Sequence, residues 1–544
     1  LHARQRLLVW FAIAAIIFLA YWLCLRYLFP GYYVPVSAFH GDFYEYASLR
    51  DKSLAQILRY PRPAAFFAMK IMGLGGLTWV MVNGIVVALV NIWLTVFLTR
   101  QITGGSLMAL PIATALYSVL LFAHPDFYFE HRHDLPAEVS YFLAVVSLIC
   151  WTQFLQRRRI VLLLLALTTA TLFVFAKETY FISFLCIALG LALTDRKNLK
   201  WHAGYLLALL IFEAASFLWT AHLNGPFINT HAAIDNTYRM DLTPAALANT
   251  AWFYLRRFLN PFSVAAVLWT LFLLRRDRRL TLLAASFLAA GLTALAPHAI
   301  LPNHLLEEYA WVGMPLFFAP LIVAADKLRA GHWQAAVMAL LIVLTVLGYR
   351  AGYRSDELTF NVRQDQLGRH LARSIKKLDT IPKGSRVLVA GLDATYIPFY
   401  TESFLLTEFG DRTSWTLLTG PGIQPRKSNR VTQIAKVPDV QLNSYDQLAS
   451  YNSEGELLSI RKIADIPQAE REKPYFLVPQ LRPLDELTVM YPREAYRKFL
   501  AANVAMNWGL LREAQRYLDD AAALGASTDP TYRQLSSRLA ELRR

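Results

Sequence analysis

Four polar clusters interrupt an otherwise strongly apolar chain, and their residue types suit proton transfer and phosphate chemistry. The first is His40-Gly41-Asp42-Phe43-Tyr44-Glu45-Tyr46. The second is His124-Pro125-Asp126 followed by Glu130-His131-Arg132-His133-Asp134-Leu135-Pro136. The third is Lys177-Glu178-Thr179-Tyr180, and the fourth is His298 with His304, Glu307, Glu308 and Tyr309. A carboxylate within hydrogen-bond reach of a hydroxyl takes its proton as that oxygen attacks an electrophile. Lysine or arginine stabilises a leaving group on which negative charge builds. Each cluster also has a plainer reading. Charged residues at helix ends anchor helices at the membrane interface, which suits Lys177 and Glu178 equally well, and His131, Arg132 and His133 read equally as solvated loop residues. Asp42 favours function, because placing a carboxylate beside a bilayer is costly. Glu213, inside an apolar run, is expected to be neutral, paired or facing a cavity.

The elements that must position these clusters are membrane spans. Of 544 residues, 56% are hydrophobic and 13% aromatic, with mean hydropathy +0.34, which is too apolar for a soluble protein. Runs approaching the roughly 20 residues needed to span lie at 7–29, 72–98, 106–123, 136–155, 160–176, 178–194, 202–222, 262–274, 280–297, 311–325 and 334–349. About eleven spans are expected. Net charge +15 would suit nucleic acid, but many of the basic residues sit in links between runs: Arg4 and Arg6, Arg100, Arg157 to Arg159, Arg196, Lys197 and Lys200, Arg275, Arg276, Arg278 and Arg279, Lys327 and Arg329. All of these links fall on one side of a single alternation. They read as the positive-inside pattern, and no nucleic-acid partner is expected. The N-terminus is then cytoplasmic and all four clusters face outside. Cys24, Cys150 and Cys186 lie in apolar runs, so no disulfide framework is expected.

Composition changes near residue 350, which divides the chain into a membrane domain (1–350), an extracytoplasmic α/β domain (351–490) and a helical C-terminal segment (491–544). The run 385–393 and the segment Pro474 to Pro479 read as strands. Gly509, Ala514 and Ala521 have the spacing of small residues in a tetratricopeptide repeat, which they resemble. A generic helical hairpin reads equally well, and a single repeat must pack on the α/β unit or on a partner.

Taken together, the Gly41-Asp42 loop with its tyrosines, Arg132-x-Asp134-x-Pro136, Lys177-Glu178 and the late His304 to Tyr309 loop resemble the GT-C superfamily of polyprenyl-phosphate-dependent glycosyltransferases. The pattern is most similar to protein O-mannosyltransferases and the lipid A aminoarabinose transferase. It covers about residues 1–350 and is carried by loops rather than by one strict motif. Phe43 follows Asp42 where the family often has an adjacent glutamate, and the late loop here has less arginine. The resemblance implies inverting sugar transfer from a polyprenyl-phosphate carrier to an acceptor hydroxyl on a glycan, lipid or protein, at the periplasmic face of a bacterial inner membrane. Asp42 would be the base. Lys177 and Arg132 would meet the phosphate, with Arg256 and Arg257 in reserve. Asp134 and Glu178 would orient those cations or the acceptor, Tyr44, Glu45 and Tyr309 would line the substrate, and His304 with Glu308 would touch phosphate or a metal. The His, Asp and Glu residues have no fixed ligand spacing, so a divalent metal is left open.

The chain has no Gly-x-Gly-x-x-Gly, no Gly-x4-Gly-Lys-Ser/Thr, no Asp-x-Asp and no Gly-x-Ser-x-Gly, so nucleotide cofactors and a nucleotide-sugar site are not indicated. Two alternatives stand beside the transferase. A polysaccharide polymerase or ligase would use the same lipid-linked donors but usually carries its large external loop between late spans. A transporter would carry polar residues at mid-membrane depth and an internal repeat; Asn83, Asn91 and Glu213 are such residues, without a clear repeat.

Overall fold

Apolar runs in hydrocarbon fold as helices because each backbone group must find its partner within the segment. A computed structural model describes residues 3–28, 49–60, 62–124, 135–177, 180–224, 242–300, 313–352, 370, 373–392, 405, 409, 413–418, 431–434, 436–452, 455–473 and 475–543. These divide into two compact units, one ending with the helix that closes at Gly352 and one holding the later residues from 370 onward.

The first unit is a helical membrane protein. Its main helices are α1 (Ala3–Leu23), α2 (Pro63–Met72), α3 (Leu77–Thr103), α4 (Leu110–Phe122), α5 (Leu135–Arg157), α6 (Ile160–Val174), α7 (Phe181–Thr194), α8 (Leu199–Asn224), α9 (Pro244–Phe258), α10 (Pro261–Leu274), α11 (Arg278–Thr293) and α12 (His332–Gly352). The expected count of about eleven spans is not met among the described residues. Five helices are long and apolar enough to cross a membrane, or six if α9 and α10 count as one broken span. Several of the other runs contain shorter helices: α4, α6, α7 and the stretch Met314–Val323 are apolar but hold 10 to 17 residues, as does α2 outside the runs. Proline contributes: it stands in the first turn of α4 and of the helix that starts at Met314, and Pro320 opens a second short helix within 314–323.

Interhelical polar contacts fix the bundle, as expected where lipid and leucine are equally apolar. Asn91 on α3 donates to the Glu138 carbonyl of α5 (3.0 Å), and one turn on the Thr95 and Tyr141 hydroxyls meet at 2.8 Å. Further along the same pair, Gln101 donates to the Ile149 carbonyl (3.1 Å). Ser147 of α5 donates to the Ala166 carbonyl of α6 (2.7 Å), and Trp151 stacks on Tyr205 of α8 at 4.5 Å. Between α9 and α10 the chain turns by 88° at Asn260. The Asn260 side chain accepts from the Phe262 and Ser263 amides, and its own amide donates to Thr345 of α12 (2.9 Å).

The second unit is a five-stranded sheet with helices packed on it. Its strands are β1 (Arg386–Ala390), β2 (Ser414–Leu418), β3 (Val431–Ile434), β4 (Gln447–Tyr451) and β5 (Leu457–Lys462). They run in the order β3-β2-β1-β4-β5, with β5 alone antiparallel. β1 is buried and continuous in Val, Leu and Ala from Val387 to Ala390, as central parallel strands are, and β4 beside it is buried along its whole length although Gln447, Ser450 and Tyr451 stand in it. The run 385–393 therefore holds a strand as expected, but the described residues of the segment expected at Pro474 to Pro479 do not. Residues 475–480 are turns in which Leu477 and Val478 enter the core, and a proline at each end removes a ladder donor. The helices α13 (Leu481–Met490), α14 (Ala495–Asn507), α15 (Leu511–Ala523) and α16 (Pro530–Arg543) follow. Gly509 makes the α14–α15 turn at φ +75°. Ala514 and Ala521 are buried in one core with Leu388, Ala390, Leu418 and Leu448 of the sheet. This C-terminal hairpin packs on the α/β layer rather than standing alone.

Candidate functional site

Of the residues singled out from sequence for substrate or catalysis, Lys177 is described. Asp42, Tyr44, Glu45, Arg132, Asp134, Glu178, His304, Glu308 and Tyr309 lie outside the described residues, as do Tyr46, Pro125, Asp126, Glu130, His131, His133 and Glu307. Arg257 and His298 lie within helices, but their side chains are not described.

Lys177 sits just past the C-terminus of α6, where a cation complements the helix dipole. It is buried, and its amide stays in the helical turn by donating to the Phe173 carbonyl (3.4 Å). Its own carbonyl accepts from the Ser140 hydroxyl of α5 at 2.9 Å. The short interruption suggests a tight hairpin, but the helices on either side take other principal partners, α6 packing mainly on α5 and α7 mainly on α11. Lys177 lies beside the first turns of α5.

Those turns carry a second charged group. Glu138, in the first turn of α5, is buried, with its carbonyl and carboxylate both accepting from the Asn91 amide. Beside it, Tyr141 meets Thr95 on one side and the ring of Tyr180 at 5.2 Å on the other. Tyr180 is itself fully buried. A carboxylate at a helix N-terminus suits the local dipole, but burial to 4% exposure is more than an interfacial anchor needs. The readable signal was a charge inside the run 136–155, because ionisable groups within spans mark sites by default. Hydropathy alone reads that run as a plain span, in which Glu138 does not stand out.

A third element reaches the same end. The Ala64 amide in the first turn of α2 donates to the Phe175 carbonyl (3.3 Å), which brings the start of α2, preceded by Arg62, to the Lys177 link. Further along α2, the Lys70 ammonium donates to the carbonyls of Leu49 (3.4 Å), Arg50 and Lys52 (2.8 Å). It clamps the segment that follows the Asp42 cluster in sequence, and Leu49 is buried there. Neither Arg62 nor Lys70 stands out in sequence, since each reads as an ordinary basic residue near a span.

His124 is fully buried and packs edge-on against Tyr349 of α12 at 4.6 Å, so this member of the second cluster is a packed residue, not a solvated one. Glu213 is half-buried on α8, one turn before Ser216, whose hydroxyl donates to the Val174 carbonyl (3.0 Å). The two share a helix face by their spacing. Asn83 donates to the Met72 carbonyl (3.3 Å) and joins α3 to the end of α2. Arg256 is exposed at the end of α9, over the Phe253 ring at 5.4 Å.

No group of three or more His, Cys, Asp or Glu side chains suited to a metal occurs among the described residues. In the sheet unit, the ends of β1 and β4 form the point where ligands enter doubly wound sheets. Pro479 and Gln480 rest there on Gly391, and the Gln480 amide donates to the Gly391 carbonyl. With φ at +90° and the Tyr451 carbonyl 1.9 Å from where a Cβ would sit, Gly391 admits no other residue without rearrangement.

The arrangement at the Lys177 end is a buried lysine, its main chain tied by Ser140 of α5, and a buried carboxylate held by Asn91 of α3. Such a set suits binding of a phosphate ester and handling of a proton. Compared with known protein families and with curated proteins, the chain matches no family model and no curated protein.

Proposed function

We propose that the protein is an integral membrane glycosyltransferase of GT-C type. It moves a sugar from a polyprenyl-phosphate carrier to an acceptor hydroxyl on the periplasmic face of a bacterial inner membrane, with inversion. The observation that carries the reading is the placement of Lys177, buried at the end of α6 and tied to the first turns of α5 beside Glu138. In this reading the Lys177 end faces outside. The basic links Arg157 to Arg159 and Arg196 to Lys200 join helices at the opposite end and face the cytoplasm.

The chemistry follows from the groups. The acceptor oxygen attacks the anomeric carbon, the bond from that carbon to the phosphate oxygen breaks, and the acceptor proton passes to Asp42. Charge left on the polyprenyl phosphate is met by Lys177 and Arg132, with Arg256 and Arg257 in reserve. Asp134 and Glu178 orient those cations or the acceptor, while Tyr44, Glu45 and Tyr309 line the sugar. His304 and Glu308 would touch the phosphate, or would hold a divalent metal that neutralises its charge. About eleven membrane-crossing segments, several of them short, belong to the same reading, as does a periplasmic C-terminal unit whose α14–α15 hairpin is of tetratricopeptide type.

The test uses the full chain in lipid vesicles with radiolabelled polyprenyl-phosphate sugars and a panel of glycan, lipid and protein acceptors. Labelled acceptor and free polyprenyl phosphate should appear together in equal amounts. Products that lengthen a lipid-linked glycan would favour a polymerase or ligase, and movement of donor between leaflets without cleavage would favour a transporter.

A further inference from the structure

The second unit carries an apolar corner where α13 meets α14. Val489 is 74% exposed, Met490 67% and Tyr496 67%, and Tyr491 and Leu500 are exposed beside them. Val489, Met490 and Tyr491 are consecutive, and the Arg497 guanidinium lies 4.2 Å from the centre of the Tyr491 ring, bridging the end of α13 to the first turns of α14. Tyr496 and Leu500 are one turn apart on α14 and share a face. Apolar residues exposed singly need no explanation, but a contiguous patch does. This one is built of Val, Met, Tyr and Pro at a turn, flanked by Arg493 and Arg497, whose charge is partly balanced by Glu494 at 2.6 Å.

That composition is the one that settles at a membrane interface, where tyrosine and arginine place apolar bodies in the acyl boundary and polar tips among headgroups. A bilayer is also the surface always within reach. The last span candidate ends at Ala351, and the described chain resumes at residue 370. The intervening residues 353–369, even fully extended, reach no more than about 60 Å. A tether of that length keeps the unit at high effective concentration against lipid without any soluble partner.

We infer that the corner Val489-Met490-Tyr491 with Tyr496 and Leu500 is a membrane-docking surface, which dips into the leaflet on its own side of the bilayer that the spans cross. Apolar burial drives the contact, and Arg493 and Arg497 lie at the depth of the lipid phosphates. The inference does not depend on the transferase reading.

The test is a nitroxide attached to Met490→Cys in the full chain in phospholipid vesicles, compared with the same label at Asp519→Cys on the exposed face of α15 and with unmodified protein as background for the native cysteines. The label at 490 should collide with oxygen much more than with a water-soluble nickel chelate, at a depth of roughly 5–10 Å, and the label at 519 should show the reverse. Adding Val489→Asp should return the label at 490 to the pattern of 519. Equal nickel access at both positions would overturn the docking. Loss of both collisions at 490 would also overturn it, because a protein surface such as a second copy would then cover the corner.

Discussion

The two units handle charge in opposite ways. In the sheet unit, carboxylates sit at the surface and pair with guanidinium groups: Arg386 with Asp446, Arg461 with Glu470, Arg482 with Glu486, Arg516 with Asp485. In the helical unit, Glu138 is buried and held by a neutral amide, and the Lys177 main chain is tied by a serine hydroxyl. A surface pair in water contributes little and tolerates loss. A buried polar group leaves a costly orphan when its partner is removed. The helical unit is therefore where single substitutions should have large effects, and the sheet unit is where they should be small.

The largest effect expected is at Asp42. Asp42→Asn keeps the shape and removes the basicity, so transfer should fall by a factor of roughly 10²–10⁴ while the donor still binds. Glu45→Gln should be milder. Rates measured for both variants in vesicles decide the matter: an active Asp42→Asn beside a dead Glu45→Gln means that the wrong carboxylate has been assigned.

Lys177→Ala comes next. If the ammonium meets charge on the departing phosphate, turnover should drop by two to three decades, about 3–4 kcal/mol by analogy with loss of one oxyanion donor. An interfacial anchor would leave turnover nearly unchanged in protein that still inserts, so a normal rate removes Lys177 from the site.

The third contrast concerns stability rather than rate. Asn91→Leu removes the donor to Glu138 and leaves a buried acceptor without it, at a cost of about 1–3 kcal/mol. Thermal unfolding in detergent should show the loss. The double variant with Glu138→Leu should recover part of it, because both polar partners are then gone. A single variant as stable as wild type would mean that the pair is not held as described.

These contrasts also mark what the sequence made legible. The run 385–393 reads as a strand because its Val and Leu residues are bounded by turn residues, and Gly509 with Ala514 and Ala521 reads as a helical turn because small residues there allow close packing. The segment Pro474 to Pro479 misleads, since a short apolar run says that residues are buried and not whether they pair as a strand. Span counting is only partly legible for a related reason. Hydropathy reports apolar length, whereas the helices inside 106–123, 160–176 and 178–194 are shorter than their runs. The Lys177 cluster is legible as a charge in an apolar stretch. Its neighbours Glu138 and Arg62 are not, because only the packing of α2, α3 and α5 brings residues so far apart in sequence to one end.

The smallest effect, and the sharpest check on the surface half of the contrast, is at Asp446. The Arg386 amide donates to its carboxylate at 2.8 Å and the guanidinium lies at 3.3 Å, and together they hold Asp446 below the usual carboxylate range. A carboxyl with a depressed folded value adds stability above its unfolded value, about 3.9, and loses it as pH falls through the folded value. With both side chains about half exposed, solvent screening should keep the contribution under about 1 kcal/mol. Asp446→Asn should therefore lower the unfolding temperature of the sheet unit slightly at neutral pH, and the gap from wild type should close on acidification below that region. A gap that persists unchanged in acid would mean that the aspartate acts through shape and hydrogen bonding alone, and that charge pairing adds nothing measurable even where the geometry is good.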